Sequence, residues 1–273
     1  MNDTSEYLGY LERMCGFSIH TLKRHKRICT LWQGFLNVKN KKILEAVPSD
    51  FLDFIEFRHR QVNNATMASE LCVLRTLYAY LYDFEQISLN PAASIPELIC
   101  EPPAEKSWLT VAECFQFLEA FDVSNPIGLR DYTITALLWS TGLRNSELCA
   151  LNWRDIDLED GALMVRKGKG GKQRQIFLND RVQDDLLHYR RQMEDGAYDP
   201  VFYAFSRNAS SKGEHARLSQ DSLVEIIRKH GKRAGIKKPV NPLTFRHCFS
   251  THMYEAGVGI ADIDDQRPCA AQL

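Results

Sequence analysis

The sequence predicts a mainly α-helical protein of two domains, the second carrying a small β-hairpin. Three observations lead there. Apolar residues recur at helical spacing through the first hundred positions, as in Tyr7, Tyr10, Leu11 and Met14. Prolines crowd at Pro91, Pro96, Pro102 and Pro103, where a helix cannot continue. Two short apolar runs, Ala162–Val165 and Gln175–Leu178, flank a tip with Gly168, Gly170 and Gly171.

Taken in order, residues 1–96 read as a domain of four or five short helices. Leu22, Ile28, Trp32, Phe35 and Leu36 make one stripe, and Phe51, Leu52, Phe54, Ile55 and Phe57 another after the turn at Pro48. Ala68 to Phe84 is a longer helix with Leu71, Leu74, Leu77, Tyr78 and Leu81 on one face. These aromatic stripes are expected to be core. Residues 97–106 read as a linker and 107–273 as the second domain. There Thr110 and Glu113 have the spacing of a capping box, Asp131–Trp139 reads as a buried helix, and helices resume at about 181–194, 219–234 and 244–256.

Composition narrows the function. The 273 residues are 44% hydrophobic and 25% charged, which excludes disorder, collagen and a disulfide scaffold. No apolar run approaches a membrane span, and the polar start has no secretory character, so a cytoplasmic protein with no membrane partner is expected. Eight cysteines form no CxxC pair; they are expected to be reduced thiols, and neither a metal nor another cofactor is expected. The net charge is −1, yet cations cluster at 23–27, 39–42, 166–174 and 228–238. Patches of this kind on a neutral chain suit local phosphate contact, although any one of them is also an ordinary solvated face.

Three segments carry chemistry. In Thr141-Gly142-Leu143-Arg144-Asn145-Ser146-Glu147-Leu148, a buried helix ends at a glycine and a short helix follows. Arg144 stands at the junction with a fork that matches two phosphate oxygens, and Glu147, three positions on, can hold that fork. The tip Lys167-Gly168-Lys169-Gly170-Gly171-Lys172-Gln173-Arg174 lets the backbone approach a ligand, and a lysine there can reach a phosphate or give up a proton. It lacks the order of a nucleotide-binding loop, so no small-molecule substrate is expected. Asn241 to His252 places Arg246 and His247 in the first turns of a helix, where an anion is favoured.

In this order the three segments resemble the tyrosine recombinase, or phage integrase, family. The resemblance spans nearly the whole chain: a helical SAM-like core-binding domain, then a mixed α/β catalytic domain. It implies site-specific recombination or integration of duplex DNA, with self-association on the DNA. It implies that Arg144 and Arg246 grip the scissile phosphate as catalytic residues, that Glu147 orients Arg144, and that Lys169 is the general acid. Lys167, Lys172 and Arg174 are expected to contact DNA. Such enzymes use a tyrosine nucleophile and no metal.

The sequence departs from that pattern at two places. Leu243 stands where the family has the histidine of His-x-x-Arg. Beyond Ala256-Gly257 the family continues to a Leu-Gly-His segment and then the tyrosine; here that histidine would fall near Cys269 and the tyrosine beyond Leu273. Tyr254 is the only tyrosine after Arg246 and comes too early in the order. The catalytic domain is therefore expected to be incomplete at its C-terminus and inactive in strand cleavage. An interrupted reading frame, a natural noncatalytic relative and a shortened chain each account for this. The alternative function is a noncatalytic DNA-binding or regulatory relative.

Overall fold

Side-chain periodicity builds two separate cores. A computed structural model describes residues 3–99, 108–166, 173–192, 200–205 and 216–259, and the chain divides into two units, Met1–Glu105 and Lys106–Leu273. Most of the linker expected at 97–106, the lysines of the hairpin tip and the residues from 260 onward lie outside the described residues.

The first unit has four α-helices among its described residues: α1 (Asp3–Arg13), α2 (Ile19–Val38), α3 (Pro48–His59) and α4 (Asn64–Asp83). Ser18 and Asn63 cap α2 and α4 by accepting from the backbone N–H of Thr21 and Thr66. The aromatic stripes are core, as their spacing predicts. Trp32 is fully buried against Phe51 and Phe54, with ring centroids 4.7 and 5.1 Å away. Its indole N–H donates to the Tyr78 hydroxyl at 2.8 Å, which donates to the Ile43 carbonyl at 2.7 Å. Leu52, Phe57 and Met14 depart from the stripes and face outward. Arg58 and Glu70 form a buried two-pronged ion pair, Nε–Oε2 2.9 Å and Nη2–Oε1 2.7 Å.

Part of the cationic surface in this unit is internally paired. Lys39 and Lys41 donate to the buried Asp50 carboxylate at 3.0 and 2.8 Å, fastening the end of α2 and the following turn to the start of α3. The cluster at 39–42 is thus in part an internal ion-pair cap.

The second unit runs α5 (Val111–Glu119), α6 (Pro126–Thr141), α7 (Asn145–Ala150), β1 (Ile156–Asp157), β2 (Ala162–Val165), β3 (Arg174–Phe177), α8 (Asp180–Gln192), α9 (Gln220–Arg233) and α10 (Pro242–Glu255). The Thr110 capping box forms: the Thr110 N–H donates to Glu113 at 2.8 Å and the Glu113 N–H to the Thr110 hydroxyl at 3.2 Å. The three strands are antiparallel in the order β1-β2-β3. β1 has two residues, too short for an alternating pattern to mark it. Val165 pairs with Arg174, so the glycine-lysine segment leaves and rejoins the sheet at that rung.

α6 is the spine of this unit, buried on nearly every face and packed on both α8 and α10. It is not wholly apolar. Arg130 donates Nε and Nη2 to Asp131 at 2.9 and 2.6 Å and Nη1 to the Tyr203 carbonyl at 2.9 Å. His230 of α9 meets the other Asp131 oxygen at 3.3 Å. A buried carboxylate so partnered ties α6, α9 and the segment at Tyr203 together.

Candidate phosphate-binding site

The site begins where α6 stops. Gly142 ends the helix in the left-handed conformation (φ 59°), its N–H bonded to the Leu138 carbonyl at 2.9 Å. Glycine is required twice over. A side chain disfavours that φ, and a Cβ would lie 2.5 Å from the Phe249 ring of α10. The reversal aims the Gly142 carbonyl at α10, where Arg246 Nη1 donates to it. Two residues later comes Arg144, the N-cap of α7. Arg144 and Arg246 therefore converge on one turn although they are far apart in sequence.

Glu147 organises the first of them. Its side chain is 1% exposed, and Arg144 reaches it with Nη1 at 2.9 Å and with its own backbone N–H at 2.9 Å. Sequence spacing anticipates that pair. It does not anticipate Arg174, which donates Nη1 and Nη2 to the two Glu147 oxygens at 2.9 and 2.7 Å. The residue expected to touch DNA is thus also a ligand of the orienting carboxylate. Burial raises the Glu147 pKa, but the bonds from Arg174 and Arg144 more than offset it and hold the carboxyl at about 2. Glu147 is a fixed anion at any ordinary pH. Two guanidiniums around one carboxylate leave a net positive site, and the Arg144 side chain remains 36% exposed.

α10 supplies the second half. Asn241 caps it by accepting from the Thr244 N–H at 3.1 Å, and Pro242 opens it. Arg246 and His247 are half-buried on successive positions of the helix, so they point about 100° apart. Leu243 is 54% exposed one turn before Arg246. His252 has no place in the site. It is buried, accepts from the Trp139 indole at 3.1 Å and meets the Leu109 carbonyl through Nε2 at 2.9 Å, holding α10 on α6. Tyr254 is exposed two turns beyond Arg246, about 12 Å along the helix axis.

Lys167, Lys169 and Lys172 lie outside the described residues. Other cations of the sequence clusters are paired at the surface: Arg166 with Asp155, Arg228 with Glu225 and Lys238 with Glu113. Sequence reasoning also passed over Arg217. It donates to the carbonyls of Cys149 and Leu151 and to Asn152, fixing the C-terminal end of α7. No local pattern signals it, because its partners lie more than sixty positions away. Among the described residues no cluster of histidine, cysteine, aspartate or glutamate is placed to hold a metal, and no helix is long and apolar enough to cross a membrane.

The pattern of the phage integrase family matches residues 107–266, and that of the phage integrase N-terminal SAM-like domain matches residues 4–84. The chain belongs to the phage integrase family of tyrosine recombinases. It is 31% identical over 279 residues to tyrosine recombinase XerC of Syntrophus aciditrophicus, covering 95% of this chain and 86% of that protein. It is 29% identical over 269 residues to tyrosine recombinase XerC of Thermodesulfovibrio yellowstonii, covering 96% and 85%. Its fold is shared with a lambda integrase (75–356) dimer bound to a COC′ core site, at a TM-score of 0.76 and 17% identity over 98% of this chain and 95% of that one. Within the matched range, the Gly142 turn joins Arg144 and Arg246.

Proposed function

We propose that this chain binds duplex DNA and grips a backbone phosphate between Arg144 and Arg246, in the manner of a site-specific tyrosine recombinase. The observation that carries the reading is the convergence of the two arginines on the Gly142–Arg144 turn, with Arg144 braced by a buried, permanently ionised Glu147. Each guanidinium would donate to nonbridging oxygens and stabilise the negative charge that builds on a five-coordinate phosphorus. Lys169 would protonate the leaving 5′ oxygen, with Lys167 and Lys172 on flanking phosphates and no metal or other cofactor required. Self-association on DNA follows the same reading.

Among the described residues, Tyr254 is the tyrosine nearest to Arg246 along the chain, and in this reading it is not the attacking hydroxyl. Tyr254 stands about two helical turns from Arg246 on an exposed face, and Leu243 offers no proton-transferring group beside it. That exposed leucine favours a second reading, a DNA-binding relative that holds the phosphate without cutting.

Two measurements test this. In titrations of a labelled duplex at low salt, Arg144→Ala and Arg246→Ala each weaken binding by about 1.5–3 kcal/mol and lower the salt slope by about one contact. Lys238→Ala, whose ammonium already serves Glu113, changes neither. Equal effects of all three substitutions would remove the case for a shared phosphate site. On a nicked substrate, a protein of these 273 residues forms no covalent adduct. A slow-migrating, protease-sensitive band in a denaturing gel refutes that, and Tyr254→Phe then shows whether Tyr254 is the nucleophile.

A further inference from the structure

One carboxylate in the site serves two guanidiniums, and the division between them is unequal. Arg174 meets Glu147 fork to fork, one terminal nitrogen on each oxygen. Arg144 reaches the same carboxylate with one side-chain nitrogen and its backbone N–H. Four donors fill the roughly four lone-pair sites a carboxylate offers. Among the described residues, Arg144 Nη2 and Nε have no protein partner.

The sharing has a geometric consequence. An arginine beside a buried carboxylate with open lone pairs frequently closes on it in a two-nitrogen pair, which adds both energy and geometric specificity. Arg144 is three residues from Glu147 and already in contact, and the oxygen its second nitrogen would take is filled by its own backbone N–H and by Arg174. Arg174 is the competitor. It is also the first residue of β3, at the rung where the glycine-lysine segment rejoins the sheet.

We propose that Arg174 is a positioning residue for Arg144: by occupying both oxygens of Glu147, it restricts Arg144 to a one-nitrogen contact and keeps the rest of that guanidinium directed to phosphate. The inference rests on the phosphate-site reading above. Arg174 also makes the orientation of Arg144 depend on the seating of β3. A displaced hairpin base would release Glu147 to Arg144 and draw the fork off the phosphate. The depressed Glu147 pKa accords with this, since Arg174 is the largest of the contributions that lower it.

The test uses the full chain and inorganic phosphate as probe. The Arg144 Nε–H signal, assigned by its absence in Arg144→Lys, is followed by NMR during phosphate titration of the wild type, Arg174→Lys and Arg174→Gln. The wild type should give a saturable shift. Arg174→Lys keeps the charge but reaches one oxygen at most, and its phosphate affinity should fall about tenfold, with the Glu147 carboxyl titrating above its wild-type midpoint. Arg174→Gln should lose at least as much; should it fail to fold, the lysine variant decides alone. Wild-type phosphate affinity in Arg174→Lys overturns the inference, because a role in net charge or folding alone would survive that change. No phosphate response at Arg144 in the wild type overturns the phosphate-site reading itself, and the inference with it.

Discussion

At the scale of single residues, the site is organised around an anion. Glu147 is buried, yet its carboxyl is held near 2, against about 4.5 for a free glutamate. A carboxyl depressed by folding contributes stability that is present above its unfolded pKa and lost as pH falls toward the folded one. The contribution should therefore be complete above pH 5 and fade between about 4.5 and 2. Urea unfolding of the wild type and Glu147→Gln should differ by roughly 2–4 kcal/mol at pH 7, and the gap should narrow progressively toward pH 2. A gap independent of pH would show that Glu147 is not the group titrating. The Arg144–Glu147 pair was legible in the sequence because three residues on a helix start are neighbours. The Arg174–Glu147 pair was not: its partners are 27 positions apart, and a cation in a basic run carries no mark of which anion it faces. Lys39 and Lys41 teach the same lesson, a basic cluster in sequence and a bracket on Asp50 in space.

At the scale of elements, the turn between α6 and α7 does the joining. The sequence marked it with a glycine after a buried helix, and that signal was sufficient because a left-handed C-terminal residue has few alternatives. What the sequence did not carry was the second constraint, the Phe249 ring against the glycine's open side. Gly142→Ala should therefore cost more than backbone strain alone, roughly 2–4 kcal/mol, since the left-handed conformation and the clash add. It should also move the carbonyl that receives Arg246. The expected outcome is a lower Tm together with weakened DNA binding; a variant with wild-type Tm would show that α10 yields without resistance. Helix identities were legible wherever an apolar stripe exceeded two turns, as in α2, α4 and α6. β1 was not, because two residues hold no period. Nor was the buried Arg130–Asp131–His230 cluster, whose charges interrupt an otherwise apolar helix and are satisfied only by tertiary partners.

At the scale of the molecule, the chain has two hydrophobic cores. The first is built on Trp32, Phe51, Phe54 and Tyr78, and the second on Phe117, Leu137, Tyr189 and Phe245, with no residue common to both. Each core belongs to one unit, so each should unfold on its own terms. A fragment ending at Glu105 should fold alone with the helical circular dichroism expected of α1–α4, and Trp32→Ala should lower its stability by about 3–5 kcal/mol. In the whole chain that substitution should displace the transition of the first unit and leave that of the second in place. A single transition shifted as one would show that the units unfold together.

The bond between Trp139 and His252 gives α10 an optical reporter. The indole N–H of a tryptophan on α6 is held by an imidazole six positions along α10 from Arg246, and both rings are buried. Tryptophan emission depends on its immediate polar neighbours, and here that neighbour travels with the helix that carries the second arginine. In a variant keeping Trp139 as its sole tryptophan, the spectrum would follow the seating of that helix. A change in that emission on adding DNA would then report a change in the seating of α10, without a label on either protein or DNA.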